Sequence, residues 1–275
     1  MAAILQAIGL QKVYNPENPT RTVALDGLSF CVDQGEFVSF VGPSGCGKTT
    51  LLMTLSCLTE PTGGKILVKD REVAAPPPEM AVVFQDYGRS LFPWRTVLRN
   101  VTFGLESKKQ LSTADRTEIA MRAIRDVGLA GFEQHYPWQL SGGMQQRVAI
   151  ARALAYEPDI LLMDEPFASV DAQARTELED LLLGIWEKFS QTILFVTHDI
   201  EEAVYLSDRV FVLSARPASI INAMSVDLGR PRDQLATREL PAFWKYRHEI
   251  YRIIRQETIR QRADATGAPP GEVRP

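Results

Sequence analysis

The chain has 275 residues, 45% hydrophobic and 23% charged, with a formal net charge of −4. That is the composition of a globular protein with one or two domains and a large core, and its mild acidity gives no support for nucleic acid as the main partner. Three cysteines without metal-ligand spacing, Cys31, Cys46 and Cys57, argue against a disulfide framework and suit a reducing cytosol. No apolar run approaches the ~20 residues that span a bilayer, and Met1–Leu10 does not read as a signal peptide, so any membrane role is expected to come through a partner.

Residues 4–13 and 23–32 alternate loosely and predict two strands, separated by the turn-forming Asn15-Pro-Glu-Asn-Pro19. Tyr14 closes the first of them; by composition alone it is an aromatic that packs. Glu36–Val41 is a short apolar run that predicts a buried strand. It leads into Gly42-Pro43-Ser44-Gly45-Cys46-Gly47-Lys48-Thr49, a full match to the G-x-x-x-x-G-K-[ST] phosphate loop. Lys48 to Leu58 then predicts a helix with Leu51, Leu52 and Leu55 on one side. The loop thus lies between a strand and a helix N-terminus, where free N–H groups and the helix dipole favour an anion. Lys48 is placed to reach the β- and γ-phosphates and Thr49 to ligate Mg²⁺. A Gly-rich turn that matches by accident is the weaker alternative, because both flanks are also correct.

Farther on, Pro61-Thr-Gly-Gly64 predicts a turn, Lys65–Lys69 a strand, Ala74–Pro78 irregular chain, and Met80–Phe84 a buried strand ending at Gln85. Gln85 stands where open α/β sheets place ligands, although a lone glutamine there is normally solvated. Asp86–Trp94 reads as a loop with a heavy aromatic load, either tucked into a core or exposed for a partner. Thr96–Leu105 predicts a helix. Ser112-Thr-Ala-Asp115 predicts a capping box that opens a helix to Val127, stopped by Gly128. Leu140-Ser141-Gly142-Gly143-Met144 opens an Ala-rich helix to Tyr156, built like a second anion site, though a capped helix alone would look the same.

Asp159–Pro166 predicts an apolar strand ending in Asp164 and Glu165. Adjacent strand residues point to opposite faces, which gives the two acids different tasks: Asp164 in a Mg²⁺ shell, Glu165 as acceptor of a proton from attacking water. Asp171–Phe189 predicts an amphipathic helix and Gln191–Thr197 a strand with His198 at its end. His198 reads as a structural residue or, beside a phosphate site, as a donor to a γ-phosphate. Ile200–Leu206 predicts a helix, Arg209–Leu213 a strand, and Ile220–Leu228 further strand. Phe243, Tyr246, Ile250, Ile253 and Ile254 recur at helical spacing and predict a docked helix in preference to a membrane-surface one. Residues 263–275 are expected to be disordered.

Together these segments resemble the nucleotide-binding ATPase subunit of an ABC transporter, over about residues 4–230. Tyr14 matches the family's adenine-stacking aromatic, Gly42–Thr49 its Walker A, Gln85 its Q-loop, and Leu140–Met144 its signature. Ile160–Glu165 matches its Walker B with catalytic glutamate, Ser169-Val170-Asp171 its D-loop, and His198 its H-loop. Met144 replaces the usual glutamine, and Ser169-Val170 the usual alanine-leucine. The resemblance implies an α/β phosphate-loop NTPase (RecA-like) core with an antiparallel β subdomain and a helical subdomain. The expected organisation is a nucleotide-binding domain over 1–230, a helical insert at about 87–150, and a C-terminal helix and tail over 231–275.

It also implies ATP and Mg²⁺ as cofactors. Glu165, His198, Gln85 and Lys48 would be catalytic. Tyr14, Gly42, Pro43, Ser44, Gly45, Cys46, Gly47, Lys48, Thr49 and Thr50 would bind ATP, joined by Ser141, Gly142, Gly143 and Asp171. Thr49, Gln85 and Asp164 would hold the metal. Two copies would sandwich ATP, each phosphate loop opposite the other copy's signature, and a permease would dock near Tyr87–Trp94. Tyr87–Val97 and Leu140–Arg147 are similar to importers of nitrate, sulfonate and taurine, which implies a subunit at the cytoplasmic face of the membrane, a separate substrate-binding protein, and no nucleic-acid partner. A non-transport ABC ATPase acting on DNA or the ribosome would share the core, but tandem cores, coiled-coil inserts or basic arms are missing from this sequence. A nucleotide-binding module without turnover would lack Glu165 or His198, and both are present.

Overall fold

The computed structural model describes residues 3–18 and 20–266. In chain order, strands β1 (Ala3–Tyr14), β2 (Thr22–Asp33) and β3 (Phe37–Val41) lead to helix α1 (Lys48–Leu55), followed by β4 (Gly63–Val68), β5 (Arg71–Glu72) and β6 (Met80–Val83). Helices α2 (Tyr87–Ser90), α3 (Val97–Phe103), α4 (Thr113–Asp126) and α5 (Gly142–Ala155) come next. The chain then alternates: β7 (Ile160–Asp164), α6 (Ala172–Phe189), β8 (Thr192–Val196), α7 (Ile200–Leu206), β9 (Arg209–Leu213) and β10 (Ile220–Ser225). It closes with α8 (Ala236–Glu239) and α9 (Pro241–Thr266).

The chain divides into two compact units, residues 1–76 with 195–275, and residues 77–194. In the first, an antiparallel sheet has the order β2-β1-β4-β5. β3 pairs in parallel with β9, and β9 antiparallel with β10. Aromatic rings join the layers of this unit: Phe30 of β2 meets Phe40 of β3 edge-on at 5.0 Å, and Phe40 stacks on Phe211 of β9 at 5.0 Å. Leu51, Leu52 and Leu55 of α1 are buried, as their spacing predicts. α1 ends at Leu55, short of the expected Leu58, because Cys57 takes a left-handed backbone (φ 55°).

The second unit pairs β6 with β7 in parallel and packs α3, α4 and α5 together around Val101, Ile124, Val148 and Ile150, all fully buried. Its helices start where their caps put them. The Ser112 hydroxyl accepts from the Asp115 amide at 3.1 Å while the Asp115 carboxylate accepts from the Ser112 amide at 3.0 Å, the predicted capping box. Asp171 caps α6 by accepting from the Ala174 amide at 2.9 Å, and Ser190 ends that helix in the left-handed region (φ 49°).

Two further expectations are corrected. Residues 87–90 of the presumed loop form the helical turn α2, because the Ser90 amide bonds to the Asp86 carbonyl at 3.2 Å. The helix expected to stop before residue 263 continues to Thr266; the rest of the tail lies outside the described residues.

Candidate functional site

The candidate residues fall in both units. In the first, β3 ends at Val41 and the phosphate loop runs directly into α1. The loop's shape demands glycine. Gly47 has φ 125°, and a Cβ there would lie 2.9 Å from the Ala24 carbonyl oxygen; a Cβ on Gly42 would lie 3.1 Å from the Leu213 carbonyl oxygen and from Cys46 Sγ. Gly47 is also the N-cap of α1 and offers no capping side chain, so the first-turn amides are left to a ligand, unlike those of α3, α4, α5 and α6.

Lys48 is only 5% exposed, and its ammonium donates to the carbonyls of Gly42 (3.0 Å) and Pro43 (3.2 Å). A buried ammonium held by loop carbonyls is a cation kept ready for an anion in the same loop. Pro43 is half-buried, Ser44, Gly45 and Thr49 are exposed, and Thr50 is half-buried. Cys46 is 1% exposed; burial pushes its thiol above the usual range, opposed by Lys48. Tyr14 ends β1 with its ring exposed and its hydroxyl 3.5 Å from the Thr50 hydroxyl, which ties the predicted aromatic to the loop's helix. The Lys12 ammonium stands 5.2 Å from the centre of that ring. His198 is exposed just beyond β8, where the Thr197 amide bonds to the Phe40 carbonyl of β3 at 3.2 Å.

In the second unit, Asp164 is the last residue of β7 and is 4% exposed. Glu165 lies beyond the strand with φ 42°, a left-handed backbone that a non-glycine residue adopts at a cost. The expected opposite-face alternation of Asp164 and Glu165 therefore does not hold; the turn at Glu165 separates the two acids instead. β6 ends at Val83, before Gln85, and the Gln85 amide nitrogen lies 3.4 Å from the Glu165 carboxylate. The structure thus brings together two residues 80 positions apart in the chain.

Ser141 caps α5 by accepting from the Met144 amide at 3.3 Å. A Cβ on Gly143 would lie 3.1 Å from the Ala174 side chain, so the glycine lets the start of α5 approach the first turn of α6, the turn that Asp171 caps.

Leu91 is buried, Phe92 packs edge-on against Phe103 at 4.6 Å, and Trp94 is 69% exposed, so the aromatic loop splits between the two expected fates. Two residues that sequence reasoning missed hold it. The fully buried Asn100 accepts from the Phe92 amide at 2.8 Å and donates to the carbonyls of Phe92, Arg95 and Thr96 at 3.1, 3.0 and 3.1 Å. Arg152 of α5 donates to the Ser90 carbonyl at 2.7 Å and hydroxyl at 3.0 Å, and burial lowers its pKa. An asparagine inside a predicted helix was the one signal for the first, because such a residue competes for backbone partners.

Among the described residues, no helix is long and apolar enough to cross a membrane. Residues 25–168 match the family model described as ABC transporter. The chain is 51% identical over 260 residues to an uncharacterized ABC transporter ATP-binding protein of Methanocaldococcus jannaschii, covering 94% of each chain. It is 43% identical to a nitrate import ATP-binding protein of Synechocystis sp., over 85% of this chain and 88% of that one. It is 46% identical to a taurine import ATP-binding protein of Yersinia pestis, over 75% and 80%. Among solved structures it resembles an ATP-binding cassette seen as a dimer in a post-hydrolysis state with ADP and Pi: TM-score 0.71, 31% identity, 81% of this chain and 98% of that one. With the phosphate loop, the Asp164–Glu165 turn and the capped glycine helix in their expected places in the chain, the protein belongs to the ABC transporter family of ATP-binding subunits.

Proposed function

We propose that the chain is the ATP-hydrolysing subunit of an importer for small anions of the nitrate, sulfonate or taurine type, working as a pair of copies at the cytoplasmic face of a membrane. The observation that carries the proposal is the phosphate loop itself: a buried Lys48 ammonium held 3.0 Å from the Gly42 carbonyl, at the start of a helix whose first amides carry no side-chain cap. The importer class rests on the nitrate and taurine relatives at 43% and 46% identity.

Lys48 and the loop amides would bind the β- and γ-phosphates, and Tyr14 would stack on the base. Thr49, Gln85 and Asp164 supply oxygen donors of the hard kind that suit Mg²⁺. When bound, that ion would neutralise phosphate charge and orient the triphosphate. Glu165 would take the proton of the attacking water, with Gln85 holding its carboxylate, and His198 would donate to the γ-phosphate. Ser141, Gly142, Gly143 and Asp171 of a second copy would complete the site. ATP would therefore favour the closed pair, and loss of the γ-phosphate would release it, through differential affinity for the two forms. The exposed Trp94, on a loop pinned by Asn100 and Arg152, would receive the permease; a separate binding protein would select the solute.

Mg²⁺-dependent ATPase assays of the wild type and of Lys48→Ala test the enzyme. Activity in the first and at least 10²-fold loss in the second is expected. Equal rates in the two would refute the proposed site. Co-purification with a permease and transport of a small anion in vesicles tests the importer; binding to nucleic acid in place of a permease would contradict it.

A further inference from the structure

α7 has two turns, and a helix that short does not hold itself in place. It begins two residues after His198, with Asp199 between as its N-cap. The Thr197 hydroxyl donates to the Glu202 carboxylate at 2.6 Å and accepts from the Asp199 amide at 3.0 Å. The Asp199 carboxylate caps the helix, accepting from the amides of Glu201 (2.8 Å) and Glu202 (3.3 Å). His198 is thus flanked on both sides by residues bonded to the first turn of α7. Where that turn goes, the imidazole follows.

The turn is gripped from outside by the C-terminal segment. Arg247 of α9 donates to one Glu201 carboxylate oxygen at 2.8 Å, and Arg238 of α8 to the other at 3.3 Å. The other end of α7 is held as well. Arg232 donates to the carbonyls of Val204 (3.2 Å), Tyr205 (2.6 Å) and Ser207 (2.9 Å), and Arg230 to the Leu206 carbonyl (3.1 Å) and the Asp208 carboxylate (2.7 Å). Guanidinium groups suit the exposed carbonyls and negative dipole of a helix C-terminus. Burial pushes Arg232 down to about 10, which leaves it cationic at neutral pH. Arg238 also lies 5.0 Å from the centre of the Tyr205 ring. α9 is in turn anchored by its buried Phe243 and Ile250, and by Glu257, which accepts from the Ala215 amide at 3.1 Å. One exposed ion pair would contribute little, but here two guanidinium groups from two elements fix both oxygens of one carboxylate.

We infer that Glu201, clamped by Arg238 and Arg247, is a positioning residue for His198, and that the C-terminal segment sets the rate of ATP turnover rather than the affinity for ATP. This rests on the reading of His198 as donor to the γ-phosphate. The clamp's bonds to Glu201 act on α7 beside the imidazole, whereas the phosphate loop that binds the nucleotide opens a different helix, α1.

The test is a cycle on the full chain: wild type, His198→Ala, Glu201→Ala and the double variant, with kcat and KM for Mg-ATP and a thermal melt for each. His198→Ala is expected to lower kcat by about 10²-fold. Glu201→Ala is expected to lower it by about 10-fold, with KM unchanged within about twofold, since a small misplacement costs rate. The double variant is expected to be no slower than His198→Ala alone. Arg247→Lys, which keeps the charge and loses the planar fork, carries the same expectation in smaller measure should Glu201→Ala fail to fold. Unchanged kcat in Glu201→Ala, a KM that rises with the loss of rate, or multiplicative losses in the double variant would overturn the positioning role. Unchanged kcat in His198→Ala would instead remove His198 from catalysis, and the inference with it.

Discussion

Asn100→Ala probes the loop proposed to meet the permease. The Asn100 side chain is fully buried and makes four hydrogen bonds to the backbone of residues 92–96. Truncation does not strand all four groups. The Phe92 carbonyl keeps the Arg95 amide at 3.0 Å, and the Thr96 carbonyl keeps the Asn100 backbone amide at 2.8 Å. The Phe92 amide and the Arg95 carbonyl must find new partners. At about 1–3 kcal/mol for each buried group left unsatisfied, the loss over these two groups is about 2–6 kcal/mol, to be read from the urea midpoint at unchanged slope. Asn100→Asp keeps the acceptor for the Phe92 amide but aims a carboxylate at three carbonyls, so its loss should equal or exceed that of the alanine variant. A loss below about 0.5 kcal/mol for Asn100→Ala, the range of an ordinary surface change, would refute the role given to this side chain.

Glu165→Gln should slow ATP hydrolysis by at least about 10²-fold while nucleotide binding, followed by fluorescence titration, persists; undiminished turnover would remove Glu165 as the base. Cys46, buried and with its thiol pushed up by that burial, should be alkylated by iodoacetamide more slowly than the exposed Cys31, and Mg-ATP should slow it further. Equal labelling of the two cysteines by mass spectrometry would contradict this. The Ser112 hydroxyl, and then the Ser112 amide, hold the Asp115 carboxylate below its ordinary pKa. Its contribution to stability is complete above the usual carboxylate range and is lost as pH falls through the lowered folded value. Asp115→Asn should therefore flatten that part of the acid limb, and identical pH–stability curves would count against the capping box.

Most of the frame was legible because its signals are local. The glycine pattern at 42–47, the Ser112–Asp115 spacing and the Leu51-Leu52-Leu55 stripe each act within one turn or one element, and each element forms where those signals put it. What was missed depends on residues distant in sequence or on backbone that pattern does not encode. The two-residue β5 follows Lys69 and Asp70, both with positive φ, and carries no apolar alternation. The left-handed turn at Glu165 looks, in sequence, like one more strand residue. What Asn100 and Arg152 hold shows only once the loop is folded, and what the arginines of residues 230–247 hold only once α7 is in place. For Asn100, Arg152 and Arg232 the partners are largely backbone groups, which leave no mark in residue identity; for Arg238 and Arg247 the partner is Glu201, 37 and 46 positions away. Trp94 and Leu91, by contrast, were recognised as unusual, but which of them faces solvent is decided by tertiary packing.

The sandwich of ATP between two copies is tested most directly by the mass of Glu165→Gln in solution, by light scattering, with Mg-ATP and with Mg-ADP. A dimer with ATP and a monomer with ADP is predicted, and Ser141→Arg in the same background should remain monomeric with either nucleotide. A monomer with Mg-ATP, or a dimer that Ser141→Arg leaves intact, would contradict the account.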